Sequence, residues 1–149
     1  YEAALKVMPA NVNAMLGLGT LDLEQNDPEA ALVHFQSALQ SLPEYLKAIP
    51  DEANSILFSI DLYQGFANER LGRPAEAKAQ YALATEVATR AAAALPDQAQ
   101  VRFQRGIALW VAGEEEKAAS AFAEAGRCDA SLGVEQTRAM ERLRRLRGR

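Results

Sequence analysis

One cysteine, one histidine and one tryptophan are all that this 149-residue chain carries of each type. A lone Cys128 excludes an internal disulfide, and with a lone His34 it supplies no ligand set at the spacings that structural metal sites use. Cys128, beside Gly126 near a helix end, is expected to pack as a small, weakly polar residue. His34 is expected to face solvent, and no nucleophile or orienting acid accompanies it. No stretch approaches the ~20 consecutive apolar residues of a membrane span. No secretory pattern stands in these residues, so a soluble protein is expected, with the cytoplasm as its compartment. Glycine is scarce at nine residues. Gly17-Leu18-Gly19 lacks the third glycine and the preceding strand of a dinucleotide fingerprint. There is no paired-carboxylate cleft, no Ser-His-Asp set and no phosphate loop, so the chain is read as no enzyme: no catalytic residue, cofactor or metal is assigned.

Against these shortages stand abundant alanine, leucine, glutamate, glutamine and arginine and a hydrophobic content of 49%. That is the composition of an all-α protein. Its clearest internal signal is a triplet that recurs three times. Gly19, Ala31 and Phe35 answer to Gly65, Ala77 and Tyr81, and then to Gly106, Ala118 and Phe122. The alanine follows the glycine by 12 residues and the aromatic follows the alanine by 4 in every copy. Where two helices cross closely, any side chain beyond a hydrogen or methyl would push the backbones apart, so glycine and alanine mark contact points and the aromatic fills the wedge beside them. A partial copy precedes these, with Tyr1, Ala4 and Pro9 lying 34 residues ahead of Phe35, Ala38 and Pro43.

With that period, Met15, Leu18-Gly19, Ala31, Phe35, Ala38 and Pro43 resemble the tetratricopeptide repeat family over roughly residues 1 to 130. Gln64-Gly65 and Arg105-Gly106 depart from the family's Leu-Gly, and Asp22 and Asn68 stand where it keeps a second aromatic. The resemblance implies a right-handed superhelical solenoid of antiparallel helix pairs, closed by a C-terminal capping helix.

Breakers and periodicity divide the chain into one domain over 1-149. Residues 1-10 end a truncated repeat, and 12-43 form a repeat, with helices at Val12 to Gln25 and Pro28 to Ser41 joined through Asn26-Asp27-Pro28. Residues 44-57 are an insertion: a connector across Leu42 to Pro50, with a helical turn at Tyr45-Leu46-Lys47, then a helix extension from Asp51. The next repeat, 58-95, has an elongated second helix from Pro74 and a C-cap at Gly72. Residues 97-130 make the last hairpin, turning at Gly113, and 134-147 form the capping helix, with Ala139, Met140, Leu143 and Leu146 on one stripe.

Charge is uneven. From Val134 onward six arginines stand against Glu135 and Glu141, a balance of +4, which leaves −8 for the remainder of a chain at −4. Cations near a helix C-terminus offset its dipole. No aromatic lies among them to stack bases, which argues against nucleic acid as a partner.

The family likeness places function on an inner face lined by the first helix of each hairpin. Alignment on the glycines puts Asn13, Leu16, Thr20, Leu23 and Glu24 there, then Leu62, Tyr63, Phe66 and Arg70, then Phe103, Gln104, Ile107 and Trp110; Ser59, Glu69, Gln100 and Val111 share that face outside the binding set. A clamp for a terminal carboxylate would need Lys, Asn and Arg where Leu16, Thr20, Tyr63, Gln100 and Gln104 stand. The apolar members of this stripe would instead form an exposed patch that takes a peptide or amphipathic segment, with Trp110 as its anchor. The alternative is a narrow groove in which these residues pack on one another or on the long second helix. The expected role is a protein-binding scaffold or adaptor with a protein or peptide ligand and no membrane partner. Two other readings remain: a self-association segment of a longer array, giving a homo-oligomer, or a non-catalytic domain appended to an enzyme.

Overall fold

The computed structural model describes residues 11–48, 50–129 and 132–148. The partial repeat expected at residues 1–10 lies outside the described residues. Those described form seven α-helices and no strand. They are α1 (Val12–Glu24), α2 (Pro28–Ala48), α3 (Ala53–Arg70), α4 (Pro74–Ala94), α5 (Ala99–Val111), α6 (Glu115–Cys128) and α7 (Leu132–Arg147), with a 3₁₀ turn at Pro50–Glu52 before α3.

Each of the pairs α1/α2, α3/α4 and α5/α6 is a close-packed hairpin, and α2 packs on α3 as α4 does on α5. The recurring triplet holds each hairpin shut. A methyl group added to Gly19 would fall into the ring of Phe35, one on Gly65 into Tyr81, and one on Gly106 into Phe122. The aromatic sixteen residues along therefore lies flat against bare backbone. Phe35 and Ala31 are wholly buried, and Tyr81, Ala77 and Ala118 nearly so.

The hairpin turns repeat as well. Seven residues after each glycine the backbone enters the left-handed region, at Asn26 (φ 62°), Gly72 (φ 71°) and Gly113 (φ 82°). At each turn the next amide reaches back five residues to close the helix end: Asp27 to the Asp22 carbonyl, Arg73 to Asn68, Glu114 to Leu109. This is a Schellman closure, which needs a residue tolerant of positive φ. Asp27 then accepts from the Ala30 amide at 3.1 Å, capping α2 ahead of Pro28.

The expected connector after Ser41 is instead helix. α2 runs through Pro43 to Ala48. Proline removes one backbone hydrogen bond, but Leu42, Tyr45 and Leu46 continue the apolar stripe of Ala31, Phe35 and Ala38. They pack with Val12, Met15, Ile56 and Ile60 in a second core cluster. Burial of that stripe outweighs the interruption, each large apolar side chain contributing about 1.5–3 kcal/mol.

The last helix also departs from expectation. α7 touches α6 but then runs back over α3 and α1, so it lies along the face made by the first helices of the hairpins. Met140, Leu143 and Leu146 enter the main core there.

Candidate functional site

The first-helix face is a groove with α7 in it. Leu62, Phe66, Phe103 and Ile107, expected with Trp110 to form an open apolar patch, are buried in one cluster with Leu23, Met140, Leu143 and Leu146. The patch is covered because α7 places its own apolar stripe at i, i+3 and i+6 against it, the geometry by which an amphipathic helix buries one side. Leu16, Tyr63 and Trp110 are half-buried at the cluster's margin. A file of aromatic rings runs across the floor: Phe35 stacks on Tyr63 at 5.7 Å, Tyr63 meets Phe66 at 6.1 Å, and Phe66 takes the edges of Tyr81 and Trp110 at 6.1 and 6.2 Å.

Three arginines fasten α7 in place. Arg147, on α7 and 7% exposed, directs Nε and Nη2 to the two Glu69 oxygens at 2.7 and 3.2 Å. Its guanidinium carbon stands 4.9 Å from the Trp110 ring centroid and 5.5 Å from that of Tyr81. The Tyr81 hydroxyl donates to the same Glu69 Oε2 at 2.5 Å. Tyr81 from α4 and Arg147 from α7 thus meet on one α3 carboxylate, and the Trp110 ring of α5 lies against the guanidinium.

Arg70 closes the same end of the groove. Its Nη1 donates to the carbonyls of Leu23 (2.6 Å) and Leu146 (3.2 Å), and its Nη2 to Asn26 Oδ1 (2.6 Å). These carbonyls sit in the last turns of α1 and α7, where no intrahelical donor remains and the helix dipole favours a cation. Arg142, one turn before Leu146, reaches Thr20 Oγ1 at 3.4 Å and Glu24 at 3.7 Å. Burial raises the Tyr63 phenol above its ordinary value, and the nearby Arg142 charge opposes that rise.

Two hollows adjoin α7, and a third lies away from it on α5 and α6. That third, of about 350 Å³, is lined by Arg105, Glu116, Lys117 and Glu124; Arg105 meets its charge by facing water. Within the groove itself, a space of about 200 Å³ is lined by Ser59, Tyr63, Gln100, Phe103, Gln104 and Arg142. A larger one of about 420 Å³ borders Glu69, Lys78, Tyr81, Thr85 and Arg147. Among the described residues no three His, Cys, Asp or Glu side chains are grouped to hold a metal ion.

No family model matches the chain, and no curated protein or solved structure matches it significantly. Its geometry therefore carries the functional argument alone.

Of the thirteen residues read from the sequence, the groove gathers twelve at or beside α7. Asn13 stands apart: it is exposed, and its Nδ2 donates to the Tyr45 hydroxyl at 2.8 Å. Sequence reasoning set Glu69 on this face without its role as the anchor, and missed Arg142, Leu143, Leu146 and Arg147 as groove contacts. A signal for Arg147 existed. It follows Met140 by seven and Leu143 by four, which puts an arginine on the apolar stripe, where a charge requires a carboxylate.

Two smaller expectations are corrected. His34 does not simply face solvent; it is half-buried, with Nδ1 2.6 Å from Asp22 Oδ2. Cys128 is exposed at the last residue of α6 rather than packed. Among the described residues no helix is long and apolar enough to cross a membrane.

Proposed function

We infer that this chain is a tetratricopeptide-repeat-like solenoid module whose inner groove binds an amphipathic helix. The observation that carries the reading is α7 itself, an amphipathic helix seated on the first-helix face through Met140, Leu143 and Leu146 and fastened by Arg142 and Arg147. The three equivalent Gly–aromatic locks and the three Schellman turns support a repeat architecture. Helix-in-groove recognition reads apolar anchors at such spacings and takes its register from the charges beside them. The protein acts as a scaffold, binding an outside segment when α7 yields the groove.

That condition sets the affinity. An outside helix competes with one already tethered, so its apparent affinity falls in proportion to the small fraction of chains whose groove is open. The test is a titration of a synthetic peptide of residues 132–148 into the full chain carrying Leu143→Ala and Leu146→Ala, which loosens α7. Trp110, the chain's only tryptophan, lies against Arg147 and reports occupancy by fluorescence. Saturable binding is expected, and unaltered chain should bind the peptide far more weakly. Failure of the loosened chain to bind, with its helicity intact, removes the reading.

A further inference from the structure

We propose that Glu69, Tyr81 and Trp110 form an arginine-reading cage, and that the partner which takes the groove from α7 is a basic amphipathic helix of another protein presenting a leucine followed directly by an arginine. This rests on the groove reading above and adds the chemistry of the ligand.

The cage is part of the hairpin stack and does not depend on α7. Glu69 comes from α3, Tyr81 from α4 and Trp110 from α5. Tyr81 is held against bare Gly65, Trp110 against Phe66, and the Tyr81 hydroxyl fixes the Glu69 carboxylate at 2.5 Å. The walls therefore stand ready when the helix leaves. Their chemistry selects a guanidinium. Its planar fork pairs two N–H groups with both carboxylate oxygens while its faces meet aromatic rings, whereas a lysine ammonium is a compact charge without that fork. Arg147 shows that arrangement, at 2.7 and 3.2 Å to Glu69 and 4.9 Å to the Trp110 centroid. The preceding Leu146 is fully buried, so leucine and arginine are read as a pair.

Charge complementarity identifies the occupant as a basic helix: the chain before Val134 carries −8, and α7, with five arginines against Glu135 and Glu141, carries +3. A second copy of this chain offers nothing more than the resident helix. α7 begins four residues after α6 ends, and so short a tether gives it a high effective concentration in its own groove. A foreign helix can gain what α7 does not use, by reaching into the 200 Å³ space beside Ser59, Gln100 and Gln104.

The experiment titrates three versions of the 132–148 peptide, native, Arg147→Lys and Arg147→Ala, into the full chain carrying Leu143→Ala and Leu146→Ala. A fourth probe is an alanine-rich host helix bearing only the Met, Leu, Leu-Arg pattern. The native peptide and the host helix should bind, with the lysine version at least roughly ten-fold weaker, the size of one lost charge-assisted hydrogen bond. Glu69→Gln in the receptor should erase that difference. Equal binding of arginine and lysine versions overturns the cage but leaves the groove reading standing. Absence of binding by every peptide to a chain of intact helicity overturns the groove reading itself. Failure of the host helix alone overturns the stated partner pattern, and a concentration-dependent dimer of unaltered chain in light scattering overturns the foreign partner in favour of a second copy. Should the doubly altered chain unfold, Glu69→Gln in the otherwise native chain serves instead. It should shift Trp110 emission and lower amide protection in α7, and no change in either overturns the cage.

Discussion

Arg147 and Glu69 stand 78 positions apart in the chain and meet in a two-pronged ion pair, with the Trp110 and Tyr81 rings against the guanidinium. The pair joins the last described helix to the end of α3, beside the buried Leu143 and Leu146 of α7. Changing Glu69 to glutamine leaves a guanidinium buried with half its partner. A loss of about 3 kcal/mol in urea unfolding is expected, and most of it should return when Arg147 is also changed to methionine. A loss below ~1 kcal/mol would mean that the leucines of α7 hold it without the ion pair.

The glycine locks make a sharper contrast. Gly65→Ala forces a methyl into the Tyr81 ring, and such overpacking costs about 1–3 kcal/mol. Gly126 lies in α6 with open space around it, so Gly126→Ala should be neutral or gain up to about 1 kcal/mol from helix propensity. Thermal melts of the two variants should therefore move in opposite directions, and equal shifts would contradict the packing.

Phe35 and Phe122 occupy the same place in the repeat but differ in burial. Phe35 is wholly buried and Phe122 only partly. Phe35→Ala is expected to cost about 3–5 kcal/mol, with the Phe122 variant clearly milder. Denaturant midpoints that fall equally for both would show that burial at the last hairpin is deeper than the structure has it.

Asp61 gives a pH signature. Burial raises its pKa from 3.8 to about 6. Below pH 4 the carboxyl is protonated in both folded and unfolded chains. Between pH 4 and 6 the unfolded chain releases the proton while the folded one keeps it, so stability falls as pH rises. Above pH 6 the penalty levels off, at up to about 3 kcal/mol for a shift of this size. Asp61→Asn should melt higher than the native chain at pH 7.5, with the gap narrowing toward pH 4. A gap independent of pH would place the effect in packing rather than ionisation.

Much of the hairpin geometry was legible because it is local. Gly65, Ala77 and Tyr81 lie within sixteen residues, and Gly72 follows seven later to end the helix. The turn at Gly72 folds α4 back on α3, and helical spacing then sets these residues on facing sides. Pro43 misled for the same reason. A breaker is a local signal, while the cluster of Val12, Ile56 and Ile60 that holds Leu42 and Leu46 in helix is assembled from distant segments. The groove residues were legible as a stripe, but their cover was not. Leu62 and Phe103 read equally well as an open patch or as a floor until α7 is seen lying on them.

The amino-acid sequence by itself determined the helices other than the stretch of α2 beyond Ser41, their pairing into hairpins and the small-residue contacts that register them, since each depends on spacings of a few turns. Only the tertiary structure decided where α7 goes and which carboxylate meets Arg147. That choice is made by buried area and charge pairing between segments far apart in the chain, and no local spacing encodes it.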